Sequence, residues 1–359
     1  MREEIPIRLQ QALESAARTG SDALLVAGSA DVFYLSGFTG DAGLLLVEPS
    51  KVTLFTDGRF TVQAREESPQ VRLRIVRGSL IAAIGEYLSR GRRRVAYAPS
   101  QWSVAAWGVL RRAAGLRVRW RAAEGLVAAL RAIKAPAEVD TIREAGVIAC
   151  EVMEEVIGMV RPGVAELDLA AEIGYRLRRK GASGESFEAI VAAGPRSALP
   201  HARPTSRRIG KNELVVLDLG AILRRYCSDL TRTVFVGRAP TRLRNWYQAV
   251  QEAQAAARES IRPGIAAGEV DKAARGVLDR HRLGRYFVHS TGHGLGLEIH
   301  EEPRLARGQK RRLETGMVVT IEPGVYLEGT GGIRIEDDVL VTTNGSELLT
   351  RLGRDLLEL

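Results

Sequence analysis

Through the first third of the chain, short apolar runs alternate with longer stretches in which apolar positions recur every three or four residues. Ala23–Ala27, Leu44–Val47, Val52–Thr56, Val71–Val76, Val95–Tyr97 and Leu116–Trp120 read as strands, with Leu80–Leu88 and Val104–Ala113 as helices among them. That alternation predicts an α/β domain built on an open sheet. An Ala-rich stretch from Glu124 to Pro136 then reads as a joint, and the expected domains are 1–127 and 128–359. A long helix is predicted from Ala137 to Val160, stopped by Arg161–Pro162–Gly163.

The second part contains an echo. Arg161–Pro162–Gly163–Val164 and Arg262–Pro263–Gly264–Ile265 lie 101 positions apart, each after a long helical segment and before another. Each is followed by a pair of strands carrying two acids, Asp218 and Asp229 in the first half, Glu322 and Glu336 in the second. A repeat of four residues is weak, because Pro-Gly is a common helix stop. The repeated order of helix, helix and acid-bearing strands predicts two duplicated halves that meet across a pseudo-twofold with four carboxylates around one point.

Composition narrows the class. The 359 residues are 45% apolar and 26% charged, an ordinary globular balance. No run approaches the ~20 uncharged apolar residues that span a bilayer. The opening MREEIPIRLQQALESAARTG has Glu3 and Glu4 and no apolar core, so a secretory signal is not expected; with only Cys150 and Cys227, the expected home is a reducing cytoplasm. The net charge of +9 comes from 46 arginines and six lysines. Arg90–Gly91–Arg92–Arg93–Arg94 could bind phosphate, but a solvated helix end before the strand at Val95 explains it as well. The other basic residues are spread without interleaved aromatics, so no nucleic-acid partner is expected.

The chemistry concentrates in the acid-bearing strands. Leu214–Gly220 is apolar except for Asp218, Tyr226–Val236 resembles its hairpin partner and carries Asp229, and Met317–Ile321 leads to Glu322. In Gly332–Leu340, alternation puts Arg334, Glu336 and Asp338 on one face and Ile333, Ile335 and Asp337 on the other. A carboxylate in a core strand is costly unless paired or metal-bound. Singly, each acid could be a buried ion pair with an arginine. Four in similar strands are better explained by one or two divalent ions, and mostly oxygen donors favour Mn²⁺, with Co²⁺ or Zn²⁺ as alternatives. Three of the five histidines, His289, His293 and His300, fall within twelve positions among glycines that permit close backbone approach. His201 lies in a Pro-bracketed loop upstream of Asp218, and His281 reads as a surface residue.

At these residues the sequence closely resembles the pita-bread metallopeptidases: aminopeptidase P, Xaa-Pro dipeptidase, methionine aminopeptidase and the metal-free creatine amidinohydrolase. The resemblance extends to Tyr34–Leu35–Ser36–Gly37–Phe38–Thr39–Gly40 and Thr56–Asp57–Gly58–Arg59–Phe60 in the first domain, which ordinary methionine aminopeptidases lack. It implies an N-terminal creatinase-like α/β domain followed by a pita-bread α+β catalytic domain. It also implies two divalent ions, with Asp229 and Glu336 bridging, Asp218 on one ion, and His293 and Glu322 on the other. His201, His289 and His300 match residues that hold substrate and stabilise the tetrahedral intermediate, and Arg334 one that braces a ligand carboxylate. Two-metal chemistry supplies activated water and a polarised carbonyl, with Glu322 as proton carrier.

The leading expectation is an Xaa-Pro aminopeptidase acting on peptides with proline at the second position, because Gly37–Phe38–Thr39–Gly40 with Gly43 looks more like that branch. Xaa-Pro dipeptidase is the near alternative and a non-catalytic binding module the distant one. A homodimer is what the resemblance implies. Asp31 is a candidate anchor for the substrate amine, with a cap or turn role as the alternative.

Overall fold

The computed structural model describes residues 2–91 and 93–359, and packing divides the chain into two compact units, Met1–Arg131 and Ala132–Leu359. In the first, α1 (Ile5–Arg18), β1 (Ala23–Val26), α2 (Ser29–Ser36), β2 (Gly43–Glu48), β3 (Lys51–Asp57), α3 (Thr61–Glu67), β4 (Arg72–Val76), α4 (Leu80–Ser89), β5 (Arg93–Tyr97), α5 (Val104–Ala114), β6 (Val118–Ala122) and α6 (Leu126–Ala132) follow in order, α6 ending at the joint. The sheet runs β4-β3-β2-β1-β5-β6, antiparallel through β3-β2-β1 and parallel at both flanks. Leu25, Phe55, Ile84, Leu88, Val95 and Leu110 fill one face of it. Both edge strands alternate arginine with less polar residues, Arg72 and Arg74 on β4, Arg119 and Arg121 on β6.

The six strands lie where the apolar runs put them, within a few residues. The last begins at Val118 rather than Leu116, since Gly115–Arg117 is a single 3-10 turn. Four helices were not legible. The segments of α1 and α3 are mostly polar, α2 lies inside the Tyr34–Gly40 motif, and α6 occupies the Ala-rich joint. Of the basic run, Arg90 caps α4, Arg93 is paired with Glu48 and Arg94 with Asp22 at 2.6 Å; Arg92 lies outside the described residues. Arg93 and Arg94 are thus committed to local acids. Asp31 is corrected as well. It is neither cap nor exposed anchor but the third residue of α2, buried, with its carboxylate accepting from Arg131 at 2.7 Å and Gln101 at 2.6 Å.

The second unit is two copies of one plan. The first half has α7 (Pro136–Ile157), α8 (Glu166–Arg179), β7 (Gly184–Glu185), β8 (Ile190–Ala193), β9 (Glu213–Leu219), β10 (Ala221–Leu223), β11 (Tyr226–Cys227) and β12 (Leu230–Val236). The second has α9 (Thr241–Ser260), α10 (Ala267–Arg280), β13 (Gly292–Gly294), β14 (Glu301–Leu305), β15 (Val318–Ile321), β16 (Gly324–Leu327), β17 (Gly331–Arg334), β18 (Asp337–Thr342) and β19 (Gly345–Leu348). Strands β12-β9-β8 form one antiparallel sheet and β14-β13-β15-β18-β19 another. Each half has its own apolar core, α7 and α8 against Val191, Leu217 and Val234, and α9 and α10 against Val319, Ile321 and Val339.

The echo in the sequence is an echo in hydrogen bonds. Gly163 donates to the Ile209 carbonyl at 2.8 Å and Ile209 to that of Val164 at 2.9 Å; Gly264 donates to Leu313 and Leu313 to Ile265, both at 2.8 Å. Arg208 and Arg312 cover the carbonyls of Gly163 and Gly264 in turn. Both glycines are left-handed, with φ of 92° and 85°, where a Cβ would be strained. Among the described residues no helix is long and apolar enough to cross a membrane.

Truncating Asp31 would leave the Arg131 guanidinium buried without this partner. Asp31→Ala is therefore expected to cost the first unit about 3–5 kcal/mol, measured as a lower urea midpoint followed by tryptophan fluorescence. An unchanged midpoint would contradict the structural role.

Candidate metal centre

Of the four acids, only Asp218 sits inside a regular strand. Asp229 lies in the break between β11 and β12, Glu322 just beyond β15, and Glu336 between β17 and β18. Each break frees the backbone to turn the carboxylate inward, and each freed N–H finds another acceptor. Asp229 donates to the Asp338 carboxylate at 2.9 Å, Glu322 to the Thr291 carbonyl at 2.8 Å and Glu336 to that of Thr231 at 3.2 Å. Thr231 stands opposite Asp218 in the β12-β9 register, so one rung carries a donor and its brace.

Oxygens of Asp229 and Glu336 and a ring nitrogen of His293 all lie within 4.8 Å of one another. His293 Nδ1 is 3.0 Å from the Gly294 carbonyl. A carbonyl only accepts, so Nδ1 carries the hydrogen and Nε2 presents a lone pair. That lone pair faces Glu322 Oε1 at 3.5 Å and Asp229 Oδ2 at 3.7 Å. With the carboxylates ionised, three acceptors would thus point at each other; the metal-free chain relieves this by retaining protons on the acids. Asp218 closes the group; its Oδ2 accepts from Arg334, while its Oδ1 and Asp229 Oδ1 are buried without a hydrogen-bond partner.

The electrostatics follow from burial. Desolvation, with repulsion from Glu336, Asp218, Asp338 and Glu322, holds the Asp229 carboxyl well above its ordinary range. Glu336 is raised by desolvation and by Glu322 and Asp218, and Glu322 is pushed up to about 7, again by desolvation first. Burial lowers His293 to about 4, keeping its ring neutral. Neutral imidazole, unpartnered carboxylate oxygens and crowded acids are the donor set a divalent cation satisfies, and the residues fit such an ion.

Around this cluster, Arg334 donates to the Asp218 carboxylate, to Thr231 Oγ1 at 3.1 Å and to the Tyr326 hydroxyl at 2.8 Å. Thr231 Oγ1 in turn donates to Glu336 Oε2 at 2.6 Å. Tyr326 meets His289 Nε2 at 2.9 Å, while His289 Nδ1 is held by the Ser290 carbonyl at 2.8 Å. Burial and Arg334 lower His289 to about 4. His201 and His300 are exposed, and the His300 ring meets His293 edge-on at 4.3 Å. Desolvation lowers His300, with repulsion from His201, which acts on His289 too, so the three rings face one region. His281 is exposed and 2.8 Å from Glu252.

The structure therefore brings together Asp218, Asp229, His293, Glu322, Glu336, Arg334 and His289, with His201 and His300 at the open side. Tyr326, Thr231 and Asp338 belong to the same network. Asp338 was visible as a third polar residue on the Glu336 face, and Thr231 by its place two after Asp229. Nothing in Gly324–Leu327 marks the tyrosine. Asp337 lies on the opposite side as alternation requires, bonded to Arg232 and Gln254, both at 2.8 Å.

With the geometry in view, comparison with known proteins places it. The pattern of metallopeptidase family M24 matches residues 140–343, and that of the creatinase/prolidase N-terminal domain residues 8–133. The chain belongs to metallopeptidase family M24. Its fold is that of the prolidases, a creatinase-type domain followed by the duplicated pita-bread unit. It is 35% identical to an Xaa-Pro dipeptidase of Pyrococcus furiosus over 98% of this chain and 99% of that one. Among solved structures, an Xaa-Pro dipeptidase from Bacillus anthracis superposes with a TM-score of 0.95 at 34% identity, covering 99% of this chain and all of that one (100%). An X-Pro aminopeptidase from Thermotoga maritima gives 0.88 at 32%, covering 96% and 100%.

A pH signature follows. The Glu322 carboxyl rises from 4.5 to about 7, so the folded metal-free chain keeps a proton the unfolded chain has released. Its contribution to stability is full below pH 4.5 and lost as pH rises to about 7, and Asp229 and Glu336 act in the same direction. His289 and His293, lowered from 6.5 to about 4, act oppositely but only up to about pH 6.5. The metal-free protein is expected to lose Tm as pH rises from about 6.5 through about 7 in scanning calorimetry, and a flat or rising Tm there would contradict the cluster.

Proposed function

We propose that this enzyme is an Xaa-Pro dipeptidase with two divalent ions, held by Asp218, Asp229, His293, Glu322 and Glu336. The observation that carries the metal site is the convergence of the neutral His293 Nε2 lone pair on carboxylate oxygens of Asp229 and Glu322, beside the buried, unpartnered Oδ1 atoms of Asp218 and Asp229. Asp229 and Glu336 are the proposed bridges, Asp218 the ligand of one ion, and His293 and Glu322 those of the other. The pair would supply a Lewis acid for the scissile carbonyl and lower the pKa of water beside it.

The chain's own groups do the rest. The Glu322 side chain is 16% exposed against 7% for Asp229 and 9% for Asp218, so it faces the open side and is the proposed proton carrier. It takes a proton from the attacking water and returns it to the proline nitrogen as the C–N bond breaks, releasing Xaa and proline. That nitrogen has no hydrogen in the substrate, so the returned proton is required for it to leave as an amine. His289, oriented by Tyr326 and Ser290, and His201 and His300 at the open side hold the substrate and the developing oxyanion. Arg334 fixes the Asp218 carboxylate.

Two substrate classes were expected from the sequence, and the dipeptide has the better support. The named relative from Pyrococcus and the Bacillus structure that match the chain almost end to end are Xaa-Pro dipeptidases. The Thermotoga structure keeps the aminopeptidase as the second reading. Mn²⁺ is the proposed ion, with Co²⁺ or Zn²⁺ as alternatives, in a cytoplasmic homodimer without a nucleic-acid partner.

The Mn²⁺-loaded protein is expected to turn over Xaa-Pro dipeptides at least ~10-fold faster in kcat/KM than matched Xaa-Pro-Yaa tripeptides, a difference of about 1.4 kcal/mol. Equal or faster tripeptide cleavage in a chromatographic assay would transfer the reading to the aminopeptidase. Glu336→Ala is expected to lose bound metal, by atomic emission, and turnover. Retention of metal and activity would sink the ligand assignment.

A further inference from the structure

Lys134 follows α6 by two residues and precedes the start of α7 by two, distant in sequence from every residue of the metal centre. Its side chain is 1% exposed, and its Nζ meets Glu301 Oε2 at 3.1 Å, with Glu301 itself at 5%. A lysine so deeply sealed is costly to desolvate, and a methionine would fill the same volume at less cost. What the pair does instead is visible at its other end.

The segment Leu295–His300, between β13 and β14, carries His300. Its first residues are tied to strands: Leu295 donates to Val318 at 3.2 Å, and Gly296 accepts from Cys227 at 2.7 Å. Beyond Gly296 the ties are Glu301, whose Oε1 accepts the Glu298 N–H at 3.1 Å, and the Ile299 backbone carbonyl, which accepts from the His293 ring. A Cβ on Gly296 would stand 2.8 Å from Glu301 Oε2 and 3.0 Å from Lys134 Cε, so the segment lies directly against the ion pair. Lys134 is held in place in turn, its N–H bonded to the Gly316 carbonyl at 2.8 Å. The chain of contact is Gly316, Lys134, Glu301, Glu298, and then His300 against His293 at 4.3 Å.

We propose that Lys134 is a positioning residue that, through Glu301, fixes the 295–300 segment so that His300 is held against the metal-binding histidine. The proposal rests on the substrate-holding role of His300 argued above. Among the described residues Lys134 bonds to Ala132, Glu301 and Gly316, none of them a proposed metal donor. A displacement of about 1 Å in a substrate-holding group can cost ~10²-fold in rate.

The test compares Lys134→Met, Lys134→Arg, Glu301→Gln and the double variant Lys134→Met/Glu301→Gln with the parent. Amide hydrogen exchange in the metal-free protein is expected to quicken in 295–300 alone for Lys134→Met and to return toward the parent in Lys134→Arg. Mn²⁺ bound per chain should be unchanged, and kcat on an Xaa-Pro dipeptide should fall by up to ~10²-fold with KM far less affected. The double variant should be little worse than either single one, because the two side chains act as one unit. Unchanged exchange, kcat within about twofold of the parent, or loss of Mn²⁺ together with kcat would overturn the proposal. If Lys134→Met does not fold, Glu301→Gln decides by the same measurements. A parent inactive on every Xaa-Pro dipeptide would defeat the substrate reading, while the exchange comparison still judges the positioning.

Discussion

Repulsion among four carboxylates gathered in one buried place is the constraint on which this molecule turns. Two unit charges 4 Å apart interact by about 4 kcal/mol at an effective dielectric of 20, and Asp218, Asp229, Glu322 and Glu336 act on one another in several pairs. Arg334 pairs with Asp218, and its charge also eases Glu322 and Glu336. The remainder is met in the metal-free chain by retained protons, which is why Asp229, Glu322 and Glu336 all titrate high. The surrounding structure exists to hold this arrangement against its own tendency to separate. Thr231 fixes the Glu336 carboxylate and Asp338 the Asp229 backbone, and Arg232 clamps the carbonyls of Thr231 and Glu336 at 2.8 and 2.6 Å while paired with Asp337.

Duplication is the economical route to such a cluster. Each half can pack its helices over its own strands, so each has an apolar core independent of the charges. All of the acids but Asp218 then occur where strands end or break, the positions at which a side chain can leave the pleat. The matched Gly163 and Gly264 loops show how closely the two copies keep one plan where no chemistry intervenes. The halves differ where it does, since the two imidazoles nearest the cluster, His289 and His293, belong to the second half alone.

Much of this was legible because the signal is local. An acid in an apolar run is anomalous wherever it occurs, and four anomalies with three clustered histidines point to a shared cause. The strands of the first unit were readable from their apolar runs, although mostly polar α1 and α3 were not. What stayed hidden depends on partners far along the chain. Asp31 looks like a turn residue until Arg131, a hundred positions on, is placed beside it. Tyr326 is one aromatic in a short strand until Arg334 and His289 converge on its hydroxyl. Which Xaa-Pro substrate is preferred is harder still to read, because specificity is a difference in pocket contacts that the donor residues do not carry.

The arginines at the margins of the first sheet have a consequence for behaviour in solution. An open sheet offers unpaired backbone at each flank, a template onto which another molecule's strand could add. Here one flank presents Arg72 and Arg74 and the other Arg119 and Arg121, so like charge meets like whichever flanks of two molecules approach. Part of the excess of positive charge is thereby explained as insulation against polymerising edge to edge. Such insulation is only as strong as the ionic strength allows, with a reach of roughly 10 Å at 0.1 M salt and roughly 3 Å at 1 M.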